Sequence, residues 1–560
     1  MSETIPNPTE APAPSRSAAT LQGALIVLCA ATFIASYDST AMSVAISAIV
    51  KDLNTTVSGV QGALAAYSLV MAACMITGAK LSGIYGAKRI FVLGVLIYGT
   101  GALVTALSPR LGVMLLGWSL LEGIGSSMQM PAALTLITHS YPPGDSRVKA
   151  LGSFSAVAAV GAAAGPLIGG AITTAWTWRI SFAMEFLVVL IIVSQRSRIP
   201  ATPVDEPRPR LDVIGAVLSA LGLALVVFGI IQAGVYGWFR AKVPFSIGGV
   251  TLIDAGSVSP VVLFVIAGLL VLVGFAVWLR HLNRRAGEPL IHLSIFSKPA
   301  VSAGLVAMAA LYLVLGGSFF IVPVFVQYAL SYSAFLTGVV LTPVAVMVSV
   351  GAARATVLTG KMPTRRVVSI GFALILGGTV LLALLMPLAD TGWALLPGLA
   401  LVGAGVGLNM ALLQNLVQSG VPAEQAEEIS GVSKTSAFLG QSIGTAVAGS
   451  VLIAGLTLFL TVLTNESTVL SAAQKADVAR QVEQGVQVVS NAELEKYLAK
   501  VPPTTASEII QINARARSLA MGMALFVIAL AAAVALVATQ RLVNRARPAA
   551  LGGKASARGP

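Results

Sequence analysis

Charged side chains are scarce in this sequence. Asp, Glu, Lys and Arg make up 10% of its 560 residues, whereas about 25% is usual in a soluble domain. Hydrophobic residues make up 56%, which is enough for about fourteen membrane-spanning helices of about 20 residues each. So little polar surface excludes a soluble globular protein. The sequence therefore predicts an all-α membrane protein.

Cysteine and histidine are almost absent. The two cysteines, Cys29 and Cys74, lie inside apolar runs and indicate no disulfide framework. The three histidines, at 139, 281 and 292, have no metal-ligand spacing. We therefore expect neither a metal site nor a cofactor.

The net charge of +13 does not indicate nucleic-acid binding, because the basic residues form no face with interleaved aromatics. They concentrate instead in alternate loops between the apolar runs. This bias predicts a plasma-membrane protein with both termini in the cytoplasm. Residues 1–19, rich in Pro, Ala, Ser and Thr, are predicted to be disordered, and residues 541–560 form a basic cytoplasmic tail.

Apolar runs predict fourteen spans. They lie at about 21–49, 59–82, 90–107, 112–138, 149–175, 179–195, 211–233, 258–280, 300–327, 334–358, 366–387, 392–418, 430–463 and 516–540. One outer segment is long, residues 464–515. It contains Val478, Val482, Val486 and Val489 at helical spacing, which predicts one helix. The residues from Ser490 onward predict the start of a second helix. We expect an amphipathic helical hairpin over the outer mouth; the alternative is a substrate-handling cap.

Three carboxyl groups lie inside predicted spans, where an ionised side chain is costly and is a functional candidate. Asp38 is near the middle of span 1, Glu122 is in span 4 and Glu185 is near the outer end of span 6. We interpret them as proton-coupling residues. The alternatives are hydrogen bonds between helices for Asp38 and Glu122, and an interfacial carboxylate for Glu185. Arg354 and Lys434 are interpreted as snorkelling side chains.

A central cavity lined by apolar helices would take its polar points from a few further side chains. These are Gln129, Asn409, Gln414, Asn415 and Gln441.

Span 5 carries small residues on one face. Gly161, Gly165 and Gly169 recur every four residues, and Pro166 and Gly170 lie among them. Such a face lets a neighbouring backbone approach closely. Span 13 shows a milder version at Gly440, Gly444 and Ala448.

Two motifs identify a family resemblance. Residues 161–170, GAAAGPLIGG, match the helix-5 antiporter motif of the major facilitator superfamily at every fixed position. Residues 37–49, YDSTAMSVAISAI, resemble the helix-1 motif of its fourteen-helix drug:proton antiporter branch, with Asp38 and Thr40 at the matching places. The resemblance implies that Thr40 belongs to the substrate cavity.

Two motifs depart from the family pattern. In the loop GAKLSGIYGAKR the resemblance implies a gating role for Gly83, Gly86, Lys88 and Arg89, but Gly83 stands where the family usually has Asp. Gly360 replaces the corresponding Asp in the other half. In GWSLLEGIGSS, Ser119 occupies the usual Arg position and Glu122 the usual Gln position. The outward-open latch that the aspartates form in the family is therefore expected to be weakened.

The resemblance implies a bundle of two six-helix halves, residues 20–200 and 300–540, joined by two inserted helices and linkers at 201–299. It implies alternating access by rocking of the halves. The implied function is a proton-coupled antiporter that exports lipophilic, cationic small molecules or drugs, working as a monomer in the lipid bilayer. Exporters of a lipid, a cell-envelope precursor or an amphipathic metabolite remain alternatives. An enzyme acting on lipid is not expected, because the loops supply no catalytic constellation.

Overall fold

The computed structural model describes residues 18–142, 144–201, 210–247, 250–285, 287–421, 426–484, 486–499 and 501–539. Of the N-terminus predicted to be disordered, residues 1–19, the part up to residue 17 lies outside these ranges, as does the basic tail at 541–560. The prediction is wrong for residues 18 and 19, which begin the first helix. Most of the described residues are helical. The helices are α1 Ala18–Ala41, α2 Ile46–Asp52, α3 Val57–Tyr85, α4 Ala87–Ala106, α5 Leu111–Met114, α6 Gly123–Ser140, α7 Asp145–Ala175, α8 Trp178–Ser194, α9 Val213–Tyr236, α10 Pro260–Arg284, α11 Pro299–Val324, α12 Ala334–Thr359, α13 Thr364–Leu385, α14 Leu396–Gln418, α15 Ala426–Glu466, α16 Ala472–Gln484, α17 Asn491–Tyr497 and α18 Pro503–Ala538.

Thirteen helical stretches in the described ranges are long and apolar enough to cross a membrane. The other predicted span, 179–195, corresponds to α8, whose 17 residues reach the short limit of about 17 for a spanning helix. The predicted all-α membrane fold is confirmed, and a count of fourteen spans agrees with it. We call the side predicted to face the cytoplasm the inner side and the opposite side the outer side.

The spanning helices form two groups. Helices α1–α8 form the N-half, and α11–α15 with α18 form the C-half. Within the halves, α1 packs on α7 and α11 packs on α15; between them, α3 packs on α15 and α7 on α12. The residue limits predicted for the two halves stay a prediction.

The inserted helices α9 and α10 pack on each other where Gly222 and Gly268 bring the backbones together. Helix α9 also lies against both halves. Gly62 of α3 faces Ile231 of α9, and Gly234 of α9 faces Ser450 and Ile453 of α15. The inserted pair therefore covers one of the two seams between the halves.

A small β-hairpin joins α9 to α10, which sequence analysis did not predict. Strands β1 (Phe245–Ile247) and β2 (Val250–Ile253) pair antiparallel. Strands of three and four residues are too short to show a reliable alternating pattern between two hydrophobic spans.

The long outer segment is only partly the predicted hairpin. Ser490 caps α17 with a full capping box, as its sequence indicates. The valine repeat is helical only as far as α16, which ends at Gln484, so Val486 and Val489 lie beyond it. We call residues 486–491 the outer strap. Arg517 of α18, 1% exposed, donates hydrogen bonds to Val489 O and Asn491 Oδ1 and holds the strap against the bundle.

Candidate functional site

The three carboxyl groups singled out in the sequence lie together inside the N-half. Asp38 comes from α1, Glu185 from α8, and Glu122 from a π-helical segment, Leu115–Glu122, between α5 and α6. One oxygen from each lies within 4.8 Å of the other two. The residues are 0%, 0% and 3% exposed for Asp38, Glu122 and Glu185. We call these three residues the carboxylate cluster.

Each carboxyl group has a different hydrogen-bond partner. Trp118 Nε1 donates to both oxygens of Asp38, at 2.9 and 3.0 Å. The Tyr98 hydroxyl donates to Glu185 Oε2 at 2.5 Å. Thr105 Oγ1 lies 3.4 Å from Glu122 Oε1 but donates its hydrogen to Gly101 O at 2.8 Å. Hydrogen bonds therefore stabilise a negative charge least on Glu122.

Two oxygens of the cluster, Glu122 Oε2 and Glu185 Oε1, are buried without a hydrogen-bond partner. Among the described side chains, no Lys, Arg or His forms an ion pair with the cluster. Three carboxylates at this spacing repel one another and are removed from water, so the cluster favours bound protons. Oxygens this close could also coordinate one cation; the expectation of no metal stays a prediction.

Close backbone packing brings Glu122 to this position. A Cβ on Gly101 of α4 would stand 2.6 Å from Glu122 Cγ, and a Cβ on Gly117 would stand 2.5 Å from Thr105 Oγ1. The π-helical turn adds a residue to the helical register, and such turns frequently occur at functional sites. The segment thereby places Glu122 in the cluster and directs the Trp118 side chain toward it.

A small cavity lies between the halves near the cluster. Its lining includes Ser39, Ser43 and Tyr67 from the N-half and Phe319, Phe320 and Gln441 from the C-half, and none of its lining residues is charged. The cavity therefore offers aromatic faces and neutral hydrogen-bonding groups.

Of the side chains predicted for the substrate cavity, Gln441 lines this one. Thr40 donates to Ala162 O of α7 at 3.0 Å. Asn409 is buried against Gly371 of α13. The remaining three are Gln129, which is buried without a partner among the described atoms, Gln414, which is half-buried, and Asn415, which is exposed near the inner end of α14.

The aromatic residues around the cluster are not among those predicted from the sequence. Tyr67 stacks on Trp118 with ring centroids 5.3 Å apart and planes 13° apart. Trp118 and Tyr98 are fully buried. The available signal was Trp and Tyr placed inside spans, away from the interfacial positions where these residues are usually enriched.

The glycine face of span 5 lies in α7. Gly161, Gly165 and Gly169 face the backbone and side chains of α1. At Gly165, a Cβ would stand 2.1 Å from Thr40 Oγ1. Gly170, next to this face, lies against Ala334 O of α12. Pro166 is buried, and its carbonyl oxygen faces Gly338 of α12. The motif therefore serves packing both within the N-half and between the halves.

The loop between α3 and α4 is sharply turned at Gly86, whose φ of 90° favours glycine. Lys88 is half-buried and Arg89 is exposed. A Cβ on Gly83 would meet nothing within 4 Å. The position where the family usually has Asp therefore has room for a larger side chain.

Two glutamines join the halves on the outer side. Gln327 of the C-half lies in a second π-helical segment, Phe325–Ala329, and bonds the backbone of Val44 and Ser47. Gln61 of the N-half donates to Thr445 O and Ala446 O of α15, at 3.0 and 3.1 Å. We call the contacts of Gln61 and Gln327 the outer latch.

Known proteins share this architecture. The family model "Major Facilitator Superfamily" matches residues 28–239 and 207–445. A bacterial homologue of the human lysosomal transporter Spinster, solved in an inward-facing, unoccupied conformation, superposes with a TM-score of 0.60 at 14% identity, covering 95% of this chain and 100% of that one. This likeness concerns the fold.

Curated relatives are closer in sequence. The probable actinorhodin transporter of Streptomyces coelicolor is 29% identical over 80% of this chain and 73% of its own length. The cephamycin export protein CmcT of Amycolatopsis lactamdurans is 30% identical over 76% and 83%. The multidrug resistance protein Stp of Mycobacterium tuberculosis is 25% identical over 76% and 74%. This chain is therefore a multi-pass membrane transporter, not an enzyme, and it belongs to the drug-efflux branch of the major facilitator superfamily.

Proposed function

We propose that this transporter is a proton-coupled antiporter of the plasma membrane that exports small molecules by alternating access, with both termini in the cytoplasm. The observation that carries the proposal is the carboxylate cluster: three buried carboxyl groups without an ion-pair partner among the described residues. A group that must hold protons while buried can release them when its surroundings become hydrated. Asp38, with its indole donor, is the main exchanging carboxyl, and Glu122 and Glu185 hold protons beside it.

The available driving force is sufficient for export. One charge moving across a potential of 100 mV supplies about 2.3 kcal/mol, and each unit of pH difference adds about 1.4 kcal/mol. Since about 1.4 kcal/mol corresponds to a tenfold concentration ratio, one proton supports export against more than a tenfold gradient.

The cargo is proposed from the relatives and from the cavity. The relatives' names include actinorhodin, cephamycin and multidrug resistance. The lining carries aromatic rings, hydroxyls and one amide but no acidic side chain. These features favour amphipathic aromatic compounds without a strong positive charge, rather than the lipophilic cations expected from the sequence.

The first experiment measures susceptibility. Cells that express the protein are tested against actinorhodin, cephamycin, puromycin and ethidium, with and without an uncoupler. We expect protection against at least one compound and loss of that protection with the uncoupler. Unchanged susceptibility to all four together with altered envelope lipids would favour the lipid-exporter alternative.

The second experiment tests the carboxyl group. Protein in vesicles is given a pH gradient, and uptake of the protected compound is followed. Asp38→Asn keeps the shape of the side chain but cannot titrate, so we expect normal insertion and loss of proton-driven uptake, with Asp38→Glu retaining part of it. Asp145→Asn, at the exposed start of α7, is the matched control. If Asp38→Asn still exchanges protons for the compound at the wild-type ratio, Asp38 is not the main exchanging carboxyl group.

A further inference from the structure

The cluster and the cavity are separate places. Asp38 is fully buried and does not line the cavity, whereas the next residue, Ser39, and Ser43 on the same segment do. With 3.6 residues per turn, neighbouring helical residues point about 100° apart. The carboxyl group of Asp38 therefore faces the interior of the N-half while Ser39 faces the cavity. A cargo molecule in the cavity does not touch the carboxylate.

Two aromatic residues connect these places. Tyr67 lines the cavity, and its ring stacks on Trp118. The indole Nε1 of Trp118 donates to both carboxylate oxygens of Asp38. Phe182 supports the far side of the indole edge-to-face, with centroids 6.4 Å apart and planes at 70°. An unbroken chain of contacts thus runs from the cavity to the cluster.

We propose that Trp118 is the positioning residue that couples cargo to proton, which rests on the proposed antiport. A hydrogen bond from a neutral donor is stronger to an ionised carboxylate than to a neutral carboxyl. The indole therefore stabilises deprotonated Asp38 as long as the stack holds it in place. Cargo that contacts Tyr67 sets the position of that stack, and so cargo and proton exclude each other without sharing a site.

Apart from Tyr67, the titratable groups around Asp38 do not connect it to the cavity. Including Tyr67, these groups are Tyr37 on α1, Tyr67 on α3, Tyr98 on α4, Glu122 on the π-helical segment and Glu185 on α8. Only Tyr67 among them also lines the cavity. The Tyr67 side chain also interacts with Asp38 directly. Every path from cargo to Asp38 that the described residues offer therefore starts at Tyr67, and the one that carries the indole donor passes through Trp118.

The experiment measures probe affinity against pH in purified full-length protein. The probes are actinorhodin, cephamycin, puromycin and ethidium, and the profile is taken with each probe that the wild-type protein binds. In the wild type we expect affinity to rise with pH as Asp38 loses its proton. Trp118→Phe keeps a ring but removes the donor, so the midpoint should move up by about one pH unit, with affinity at high pH within about twofold of wild type.

A matched control exists in the same half. Trp178 is also a buried indole that contacts Phe182, with ring centroids 5.9 Å apart, but its Nε1 donates to Asp52 Oδ2 at 2.9 Å and not to the cluster. Trp178→Phe should leave the midpoint in place. Asp38→Asn should still bind the probe, with a flat pH profile.

The outcomes separate the two proposals. A wild-type profile that does not depend on pH overturns the proton coupling itself. A pH-dependent wild type with an unshifted Trp118→Phe overturns only the role of Trp118, and loss of all binding in Asp38→Asn shows that cargo touches the carboxylate directly. Binding of none of the four probes, or of the cation ethidium alone, overturns the cargo class. If Trp118→Phe does not fold, Tyr67→Leu breaks the same path, and proton release on probe binding should fall at least by half; unchanged release overturns the proposal.

Discussion

Gln327 and Val44 hold the outer ends of the two halves together. The Gln327 amide donates to Val44 O at 3.0 Å and accepts from the backbone N–H of the nearby Ser47 at 3.0 Å. Val44 lies in a short 3-10 turn between α1 and α2, where the backbone groups are open to such a partner. One side chain of the C-half thereby replaces two backbone hydrogen bonds that the N-half lacks.

Breaking this part of the outer latch should favour an outward-open state. Gln327→Leu removes two hydrogen bonds worth about 1 kcal/mol each, so the ratio of outward-open to closed molecules should rise by roughly tenfold or more. Spin labels at positions 51 and 390, both exposed and on the outer side, report the distance in a background without Cys29 and Cys74. Gln195→Leu, at the inner end of α8, is the control. An unaltered distance distribution in Gln327→Leu would show that these hydrogen bonds do not control the ratio of outward-open to closed molecules.

Added bulk on the α7 glycine face should stop transport. In Gly165→Leu the new side chain begins 2.1 Å from Thr40 Oγ1 and must push α1 away from α7. We expect normal membrane insertion and loss of transport. Gly152→Leu lies on the same helix with open space around its Cβ, and it should transport normally. Near-normal transport by correctly inserted Gly165→Leu would count against the packing argument.

An aspartate at position 83 should restore the latch of the family pattern. There is room for the side chain, and basic residues remain in the same loop. Gly83→Asp should shift the resting population toward the outward-open state, seen as a longer distance between labels at 51 and 390. Gly83→Asn, equal in size but uncharged, should not. If the distance distributions of the two variants coincide, position 83 does not control this equilibrium through charge.

Loss of the Arg517 side chain should free the outer strap. Arg517→Met removes two charge-assisted hydrogen bonds from Val489 O and Asn491 Oδ1, so amide hydrogen exchange over 486–491 should speed up by about tenfold or more. Arg515→Met, two residues away and exposed, is the control and should leave exchange unchanged. If the amides of the strap exchange equally slowly in Arg517→Met and in the wild type, packing alone holds the strap in place.

The sequence predicts the part of the site that depends on the cost of burial. Asp38, Glu122 and Glu185 stand out because ionisable side chains are rare in apolar spans. Their meeting point does not follow from the sequence, because a π-helical turn shifts the register that a 3.6-residue repeat assumes. Trp118 is hidden for the same reason. Asn409 shows the opposite error. A polar side chain in an apolar span predicts a place in the cavity, but the Asn409 side chain packs inside the C-half.

The position of α9 makes the bundle mechanically asymmetric. One helix contacts both α3 and α15, so it bridges the two halves along a single seam, whereas the α7–α12 seam has no such bridge in the described residues. A rigid body tied along one edge moves least at that edge. The rotation axis between the halves should therefore lie off-centre, near α9, and the largest displacement during transport should occur on the opposite flank, where α7 and α12 face the lipid.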